Sequence, residues 1–385
     1  MFAYGAVIVL LLLLWGKRLC VIAGEASGDL HGGNLVRALF AQAGQEELKV
    51  RAWGGDHMQA AGAEVVKHYR DLAFMGFTQV LMNLRTILRN IKECKADILA
   101  FKPDAIILID YPGFNLRIAE FAHAHGIRVI YYISPQVWAW KAGRVKAIKR
   151  NVDDMYVILP FEKQWYAEHG MEVEFVGHPL LDALPVHSEV RSEAADMKPV
   201  VALLPGSRTQ EITRMLPVML STVKHFPEVA FQVAAAPSVP EALYRNIIGD
   251  ASVELVSNGT YDLLKTAKAA LVTSGTATLE TALIGTPEAV CYGGGAVNVW
   301  LAKRFIKVPF ISLVNLIMGR EVVRELIQKD MAPKELRKEL DQLLNDDAYR
   351  SRMLADLQEL REKLGGPGAS AHVADRVWKS LYARP

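Results

Sequence analysis

LCVIAGEASGDLHGG, residues 19–33, is the stretch of sequence that decides the fold. Its apolar run of strand length, 19–23, ends at a glycine, and a segment of helix length, 30–43, follows at once. The same alternation returns along the chain, with apolar runs at 105–109, 129–133 and 155–159 and segments of helix length at 80–100 and 115–125. Strands that alternate with helices predict parallel sheets with helices on both faces. The predicted fold class is therefore α/β.

The alternation pauses at 177–199, where Pro179, Pro185 and a polar stretch indicate a linker. It then resumes, with strands expected at 200–204, 229–234 and 269–273 and helices beginning near Gln210, Tyr261 and Ala277. We therefore predict two doubly wound, Rossmann-like domains with a cleft between them, since ligands of such sheets bind beyond the carboxyl ends of the strands. The predicted segments are an apolar extension at 1–18, an N-terminal domain at 19–185, a C-terminal domain at 186–345 and C-terminal helices at 346–385.

Composition excludes several classes of protein. Of the 385 residues, 51% are hydrophobic and 22% are charged, which is typical of globular domains. The 44 Lys and Arg residues nearly balance the 42 Asp and Glu residues, so we expect no nucleic-acid partner. The cysteines Cys20, Cys94 and Cys291 are far apart, and their spacing fits neither a disulfide framework nor a zinc site. We expect a reducing compartment and no structural metal.

Residues 1–15 form an apolar run that precedes Lys17 and Arg18. The run is shorter than the ~20 residues that a helix needs to cross a bilayer core. Its basic flank lies after it, whereas a secretory signal carries positive charge before the apolar run. Two interpretations stay open: the run anchors the following domain at the cytoplasmic side of a membrane, or translation starts near Lys17.

The first strand-to-helix junction carries two acidic residues, Glu25 and Asp29. Its glycines do not form G-x-G-x-x-G, and no acidic residue is placed to bind a ribose, so no dinucleotide cofactor is expected. Asp29 could be a helix cap, which is the common use of aspartate at such a position. Glu25 has no capping position, and we predict that it contacts a ligand.

Two junctions of the second domain suit phosphate groups. In LPGSR, Gly206 permits close approach, the helix start at Ser207 offers free N–H groups, and Arg208 can bind phosphate oxygens in a forked geometry. In SGTATLE, small residues again stand at a helix start and a glutamate can bind a ribose diol; these residues are Ser274, Gly275, Thr276 and Glu280. Either junction alone could be an ordinary turn or cap. Side by side, the two predict a nucleotide diphosphate.

Asp110 follows the apolar run 105–109 and precedes Pro112 and Gly113. Desolvation at a strand end would raise the pKa of this carboxyl toward that of a general base, and the alternative is a cap of the next helix. Trp138, within SPQVWAWK, could pack on a sugar or an acyl chain, or equally in the core.

These motifs together resemble one family, lipid-A-disaccharide synthase, a bacterial glycosyltransferase of outer-membrane lipid A assembly. The resemblance runs from about residue 19 to 323, and the motifs that carry it are GEASGDLHG, MGF at 75–77, Asp110 with Asn115, SPQVWAWK, LPFE at 159–162, GHP at 177–179, LPGSR, SGTATLE and Asn315 with the GRE at 319–321. The resemblance implies a GT-B fold, a UDP-2,3-diacylglucosamine donor and a 2,3-diacylglucosamine 1-phosphate acceptor. It further implies a β-1,6-linked product formed with inversion, without metal or cofactor.

The resemblance also implies roles for residues. Asp110 matches the proposed base, and Arg208, Glu280, Asn315, Arg320 and Glu321 match donor-site residues of the C-terminal domain. The N-terminal domain then binds the acceptor, for which we predict Ser27, Asp29 and Trp138, with Glu25 as a second catalytic residue. Two features depart from the family pattern, the run of glycines at 293–295 and the apolar N-terminal run.

Two other functions share this architecture, a UDP-sugar epimerase and a non-catalytic protein that binds sugar nucleotides. For the transferase we expect a cytoplasmic protein bound peripherally to the inner-membrane surface, because both substrates carry acyl chains. The stretch 300–308 combines basic and apolar residues as an interfacial helix does, and an ordinary amphipathic helix is the alternative. The oligomeric state is open, with a homodimer among the options.

Overall fold

The computed structural model describes residues 16–43, 47–72, 83–140, 142–184, 198–293 and 308–382. The chain divides into two compact units, and unit 1 contains both chain ends. Unit 1 comprises Met1–Ala183 and Gly366–Pro385, and unit 2 comprises Leu184–Gly365. The apolar run at 1–15 and residues 300–307 of the expected interfacial helix at 300–308 lie outside the described residues. Within the described ranges, no helix is both long enough and apolar enough to span a membrane.

Unit 1 is built on a parallel sheet whose described strands follow the order β3-β2-β1-β4-β5-β6-β7. The strands are β1 (Lys17–Ala23), β2 (Leu48–Gly54), β3 (Glu64–His68), β4 (Ala105–Ile109), β5 (Arg128–Tyr132), β6 (Asp154–Val157) and β7 (Glu174–Phe175). The helices are α1 (Ala26–Ala43), α2 (Asp56–Ala60), α3 (Leu84–Phe101), α4 (Pro112–Ala124), α5 (Val137–Trp140), α6 (Val145–Asn151), α7 (Pro160–Glu168) and α8 (Leu180–Ala183), with 3-10 turns at Tyr69–Asp71 and Ala142–Arg144.

The central strand β4 shows why the apolar runs form this sheet. All five of its residues are buried, and successive side chains point to opposite faces. Ile107 and Ile109 belong to the core on one face, whereas Ile106 and Leu108 belong to the core on the other. A strand covered by helices on both faces is apolar throughout, which explains the continuous run in the sequence.

Unit 2 repeats the plan with strand order β10-β9-β8-β11-β12-β13 among its described residues. Its strands are β8 (Val200–Leu204), β9 (Ala230–Ala235), β10 (Val253–Ser257), β11 (Ala267–Thr273), β12 (Glu288–Tyr292) and β13 (Arg324–Ile327). Its helices are α9 (Thr209–Leu220), α10 (Glu241–Ile248), α11 (Thr260–Thr266), α12 (Thr276–Ile284), α13 (Leu313–Met318), α14 (Pro333–Asn345) and α15 (Asp347–Lys363), with a 3-10 turn at Val223–His225. The prediction of two doubly wound α/β domains is confirmed.

The chain returns to unit 1 through its last helix, α16 (Ala369–Tyr382). Val373, Val377 and Leu381 recur every four residues and pack into the unit 1 core. The carboxylate of Asp182, in α8, accepts the N–H groups of Gly368 at 2.5 Å and Ser370 at 2.8 Å and so caps the helix start. The sequence analysis placed 346–385 in one helical segment, but the structure assigns α15 to unit 2 and α16 to unit 1.

Each sheet reverses its strand order beside its first strand, and this positions the predicted junctions. In unit 1, β4 pairs with β1, so the carboxyl ends of these two strands are neighbours. In unit 2, β11 pairs with β8 in the same way. Such reversal points are where ligands bind to open α/β sheets. The topology therefore brings Glu25 near Asp110, and it sets the LPGSR and SGTATLE junctions side by side as predicted.

Candidate active site

Asp110 stands at the end of β4 with its backbone in the left-handed region. The φ angle is 43° at Asp110 and 48° at Tyr111, values that residues other than glycine rarely adopt. Ile133, which follows β5, has a φ of 65°, and its carbonyl accepts the Asp110 N–H at 3.2 Å. Each such residue costs about 1–3 kcal/mol, so the surrounding structure must hold it. Asn115 Nδ2 and the Tyr131 hydroxyl do so by donating to the Asp110 carbonyl at 2.8 Å and 2.6 Å.

The Asp110 carboxyl has the electrostatic character of a general base. Its pKa is raised from 3.8 to about 7: burial is the largest cause, the negative charge of Glu25 adds to the rise, and a backbone hydrogen bond from Tyr111 opposes both. Glu25 is half-buried at the end of the neighbouring strand β1. A carboxyl with a pKa near neutrality exchanges its proton efficiently at physiological pH. The two predicted catalytic residues are thus electrostatically coupled.

The first junction packs closely against the Asp110 turn. A Cβ atom added to Gly24 would lie 2.3 Å from the Tyr111 ring, so only glycine fits at this point. Ser27, one of the predicted acceptor residues, is exposed in the first turn of α1. The junction therefore presents Glu25 and Ser27 at the same sheet edge as Asp110.

Asp29 requires a correction, because its carboxylate serves the fold. It is 1% exposed and accepts three backbone N–H groups, those of Gly55 at 2.7 Å, His57 at 2.9 Å and Met58 at 3.2 Å. These N–H groups belong to the start of α2, where they have no partner within the helix. Asp29 is therefore a helix cap, as the alternative interpretation of the sequence had it, but the helix that it caps is α2 and not its own. We no longer assign Asp29 to the acceptor.

Trp138 lies half-buried on α5 and is fixed by α7. Its ring meets Phe161 edge-on, with centroids 5.0 Å apart, and its Nε1 donates to Glu162 at 3.2 Å. Glu162 also accepts the Leu159 N–H at 3.0 Å. Burial raises the pKa of this glutamate from 4.5 to about 7, against opposing hydrogen bonds. Glu162 belongs to the LPFE motif but had no predicted role, and the signal for it is a glutamate two residues after the proline that begins a helix.

In unit 2, the LPGSR junction is an exposed turn closed by Glu211. Gly206 has a φ of 116°, and a Cβ there would lie 2.7 Å from the Glu211 carboxylate. Glu211 accepts the Ser207 N–H at 3.1 Å and forms an ion pair with Arg208 at 3.0 Å. Glu211 had no predicted role, and its carboxylate accepts the Ser207 N–H, which was predicted to bind phosphate. The Arg208 side chain is 57% exposed.

The SGTATLE junction lies at the carboxyl end of β11, next to β8. Ser274 is half-buried, while Gly275 and Thr276 are exposed where α12 begins. Glu280 is half-buried one turn further along the helix, and burial raises its pKa while a hydrogen bond from Tyr261 opposes the rise. The topology thus brings the two predicted phosphate junctions together.

Asn315 is buried and uses its whole amide within unit 2. Its Oδ1 accepts the N–H groups of Val322 at 2.8 Å and Val323 at 3.0 Å. Its Nδ2 donates to the Val323 carbonyl at 2.8 Å and to Glu325 at 2.9 Å. The predicted donor contact of Asn315 is therefore corrected to a positioning role, because the side chain has no donor or acceptor left for a ligand.

Glu325, in β13, is the centre of this network and was missed by the sequence analysis. Besides Asn315, its carboxylate accepts the Ile311 N–H at 2.9 Å, the Ser312 N–H at 3.0 Å and the Ser312 hydroxyl at 2.8 Å. The Ile311 carbonyl in turn lies 3.5 Å from Ser274 Oγ. Glu325 therefore holds the start of α13 beside the SGTATLE junction.

Arg320 and Glu321 are engaged elsewhere in unit 2. Arg320 forms ion pairs with Asp356 at 2.9 Å and with Glu359 at 2.7 Å, both on α15. Glu321 pairs with Arg324 at 3.2 Å. In this structure the two residues fasten the GRE turn to its surroundings, and their donor contacts stay a prediction.

Comparison with known proteins now identifies the family. A family model described as Lipid-A-disaccharide synthetase matches residues 19–372. The chain belongs to the lipid-A-disaccharide synthase family. It is 42% identical over 371 residues to a lipid-A-disaccharide synthase of Syntrophus aciditrophicus (strain SB), covering 93% of this chain and 96% of the relative. It is 40% identical over 373 residues to that of Trichlorobacter lovleyi, covering 94% and 97%. The chain is thus a glycosyltransferase.

Solved structures of other proteins share the fold of this chain. The chain matches a UDP-GlcNAc 2-epimerase from Neisseria meningitidis bound to UDP-GlcNAc, with a TM-score of 0.64, 13% identity and coverage of 94% of this chain and 100% of the other. It also matches the glycotransferase of kitacinnamycin, with a TM-score of 0.62, 14% identity and coverage of 95% and 99%. At these identities the likeness concerns the fold alone, and the fold is GT-B.

Proposed function

We propose that the chain transfers the sugar of UDP-2,3-diacylglucosamine to the 6-hydroxyl of 2,3-diacylglucosamine 1-phosphate, with inversion at the anomeric carbon. The observation that carries this proposal is Asp110, a carboxyl with a pKa raised to about 7 at the reversal point of the unit 1 sheet. Family membership supplies the reaction class. Asp110 supplies the group that an inverting displacement requires, a base for the acceptor hydroxyl.

In the proposed mechanism the Asp110 carboxylate takes the proton of the acceptor 6-hydroxyl as its oxygen attacks the anomeric carbon. The bond from that carbon to UDP breaks with its electrons, so negative charge develops on the departing diphosphate. The helix starts after Ser207 and Gly275, with Arg208, are the groups of unit 2 that we assign to this charge. Glu280 is assigned to the ribose. Glu25 keeps the pKa of Asp110 high and positions the acceptor.

Peripheral binding to the inner membrane belongs to the same proposal, because both substrates carry acyl chains. The start of α3 supports it: Leu84 and Leu88 are 48% and 54% exposed on one helix face, next to Arg85. Exposed leucines beside basic residues are typical of helices that lie at a lipid surface.

The decisive experiment measures UDP release from the donor with and without the acylated acceptor. The proposal predicts release only when the acceptor is present. An epimerase would convert the UDP-sugar with no acceptor, and a binding protein would bind the donor but release no UDP when the acceptor is added.

A further inference from the structure

Two arginines of unit 1 lie close together beside the Asp110 turn. Arg117 is exposed on α4, and its Nη1 donates to the Gly113 carbonyl at 2.5 Å, so its guanidinium folds back over the first turn of that helix. Arg144 is half-buried at the start of α6, a helix that packs against α4. Burial lowers the pKa of Arg144, Tyr131 opposes this, and the positive charge of Arg117 lowers it again. The two guanidinium groups therefore repel one another.

Tyr131 connects this pair to Asp110. The Tyr131 hydroxyl donates to the Asp110 carbonyl at 2.6 Å, and it interacts electrostatically with both Asp110 and Arg144. The first turn of α4 also has free space, since a Cβ added to Gly113 would meet nothing within 4 Å. Tyr131 thus links the Arg144 guanidinium to the Asp110 turn, beside a helix start that has room for a ligand.

The surroundings of the pair carry further positive charge. Residues 144–149 include Arg144, Lys146 and Lys149 and no acidic residue. In the described part of the chain, no carboxylate forms an ion pair with Arg117. Like charges held together are unfavourable, and an anion bound between them relieves the repulsion. A phosphate monoester suits this place, because its oxygens accept the forked hydrogen bonds of guanidinium groups.

We propose that Arg144 and Arg117 bind the phosphate of the acceptor. This inference rests on the proposed function, which places the acceptor 6-hydroxyl at Asp110. The phosphate on carbon 1 and the hydroxyl on carbon 6 are separated by one sugar ring, so the phosphate site must lie within one ring of the base. Arg117 reaches the carbonyl of Gly113, three residues after Asp110, and Arg144 interacts with Tyr131, which contacts the Asp110 carbonyl. The pair is therefore placed to hold the far end of the sugar and to orient its hydroxyl toward Asp110.

The test compares two acceptors, the 1-phosphate sugar and the same diacylated sugar without phosphate. With the phosphorylated acceptor, Arg144→Ala and Arg117→Ala should each raise the acceptor KM about ten- to hundredfold, while the donor KM stays unchanged. With the acceptor that lacks phosphate, both variants should match the wild type, because the interaction is already absent. Arg150→Ala is the matched control, since it removes an exposed charge from the same helix, and it should behave as wild type with both acceptors.

Equal losses with the two acceptors would overturn the inference and make the arginines structural. If Arg144→Ala does not fold, the exposed Arg117 decides the matter alone. Weaker flotation of the variants with anionic vesicles, with unchanged discrimination between the acceptors, would assign the pair to lipid headgroups and also overturn it. If the wild type shows no acceptor-dependent UDP release, the proposed function fails. The phosphate site is then tested separately by the binding of glucosamine 1-phosphate, which should be weaker to Arg144→Ala than to the wild type; equal binding would overturn the site.

Discussion

Asp110 shows how one residue combines strain and charge for chemistry. Its left-handed backbone and that of Tyr111 are costly, and the hydrogen bonds from Asn115 and Tyr131 to the Asp110 carbonyl hold this turn. The raised pKa means that the carboxyl is partly protonated at neutral pH. In the proposed mechanism the deprotonated form of Asp110 is active, so turnover should fall as the pH drops below about 7.

Glu25→Gln tests the coupling of the two carboxylates. Glu25 raises the pKa of Asp110, so removing its charge should lower that pKa and move the acidic limb of kcat/KM to lower pH. The measurement is the pH dependence of acceptor-dependent UDP release by both proteins. An acidic limb at the same pH in both would show that Glu25 does not act on the base.

At the residue scale, the sequence identified groups but not their partners. Asp110 was predictable as a strand-end carboxyl, because the apolar run before it marks the strand. The capping of α2 by Asp29 and the closing of the LPGSR turn by Glu211 were not, since both depend on the direction in which a side chain points. A carboxylate near free N–H groups gives the same sequence pattern in two cases: when it contacts a ligand, and when it accepts those N–H groups in place of a ligand.

At the scale of elements, Glu325 joins β13 to the start of α13, in the unit to which we assign the donor. Glu325→Ala removes the hydrogen bonds that this carboxylate accepts from residues 311–315, each worth about 1.5–3 kcal/mol. Without them the 311–315 segment should be less ordered. We expect the donor KM to rise about tenfold or more, with little change in the acceptor KM.

Two controls separate positioning by Glu325 from a general loss of stability. Glu325→Gln keeps an accepting oxygen and should recover part of the donor affinity. Asp341→Ala removes an exposed acid of α14 and should leave both KM values unchanged. A parallel rise of both KM values in Glu325→Ala, with a matching fall of the melting temperature, would count against the positioning role.

Elements were predictable where burial made them apolar. The strands at β1, β4, β5, β8 and β11 were recognisable because both of their faces are covered. Strand β2 reads LKVRAWG and alternates polar with apolar residues, and β13 has only four residues, RELI. Short or mixed strands owe their place to neighbours distant in sequence, so pattern alone does not reveal them.

At the scale of the whole molecule, the family and the GT-B architecture were predictable from ordered motifs, but the return of α16 to unit 1 was not. A helix of ordinary amphipathic pattern packs on whichever core lies within reach, and the sequence does not specify which. The hydrogen bonds of Asp182 with Gly368 and Ser370 fix that choice, and these partners are separated from Asp182 by 186 and 188 positions in the sequence.

The proposed membrane binding is also tested at the scale of the whole molecule. The double variant Leu84→Ser, Leu88→Ser should reduce flotation with anionic vesicles, because it removes exposed apolar area from the start of α3. Leu99→Ser is the matched control, since Leu99 is 46% exposed near the other end of the same helix. Undiminished flotation of the double variant would place the membrane contact elsewhere.

The central claim is that Asp110 is the general base of an inverting glycosyl transfer, and the most direct measurement is acceptor-dependent UDP release by Asp110→Asn across pH. Asparagine fills the same space but cannot take a proton, so turnover should fall about 10²–10⁴-fold while UDP-sugar binding persists. The residual rate should lack the acidic limb that the wild type shows near pH 7. Near-wild-type turnover in Asp110→Asn, or a residual rate with an unchanged acidic limb, would contradict the account.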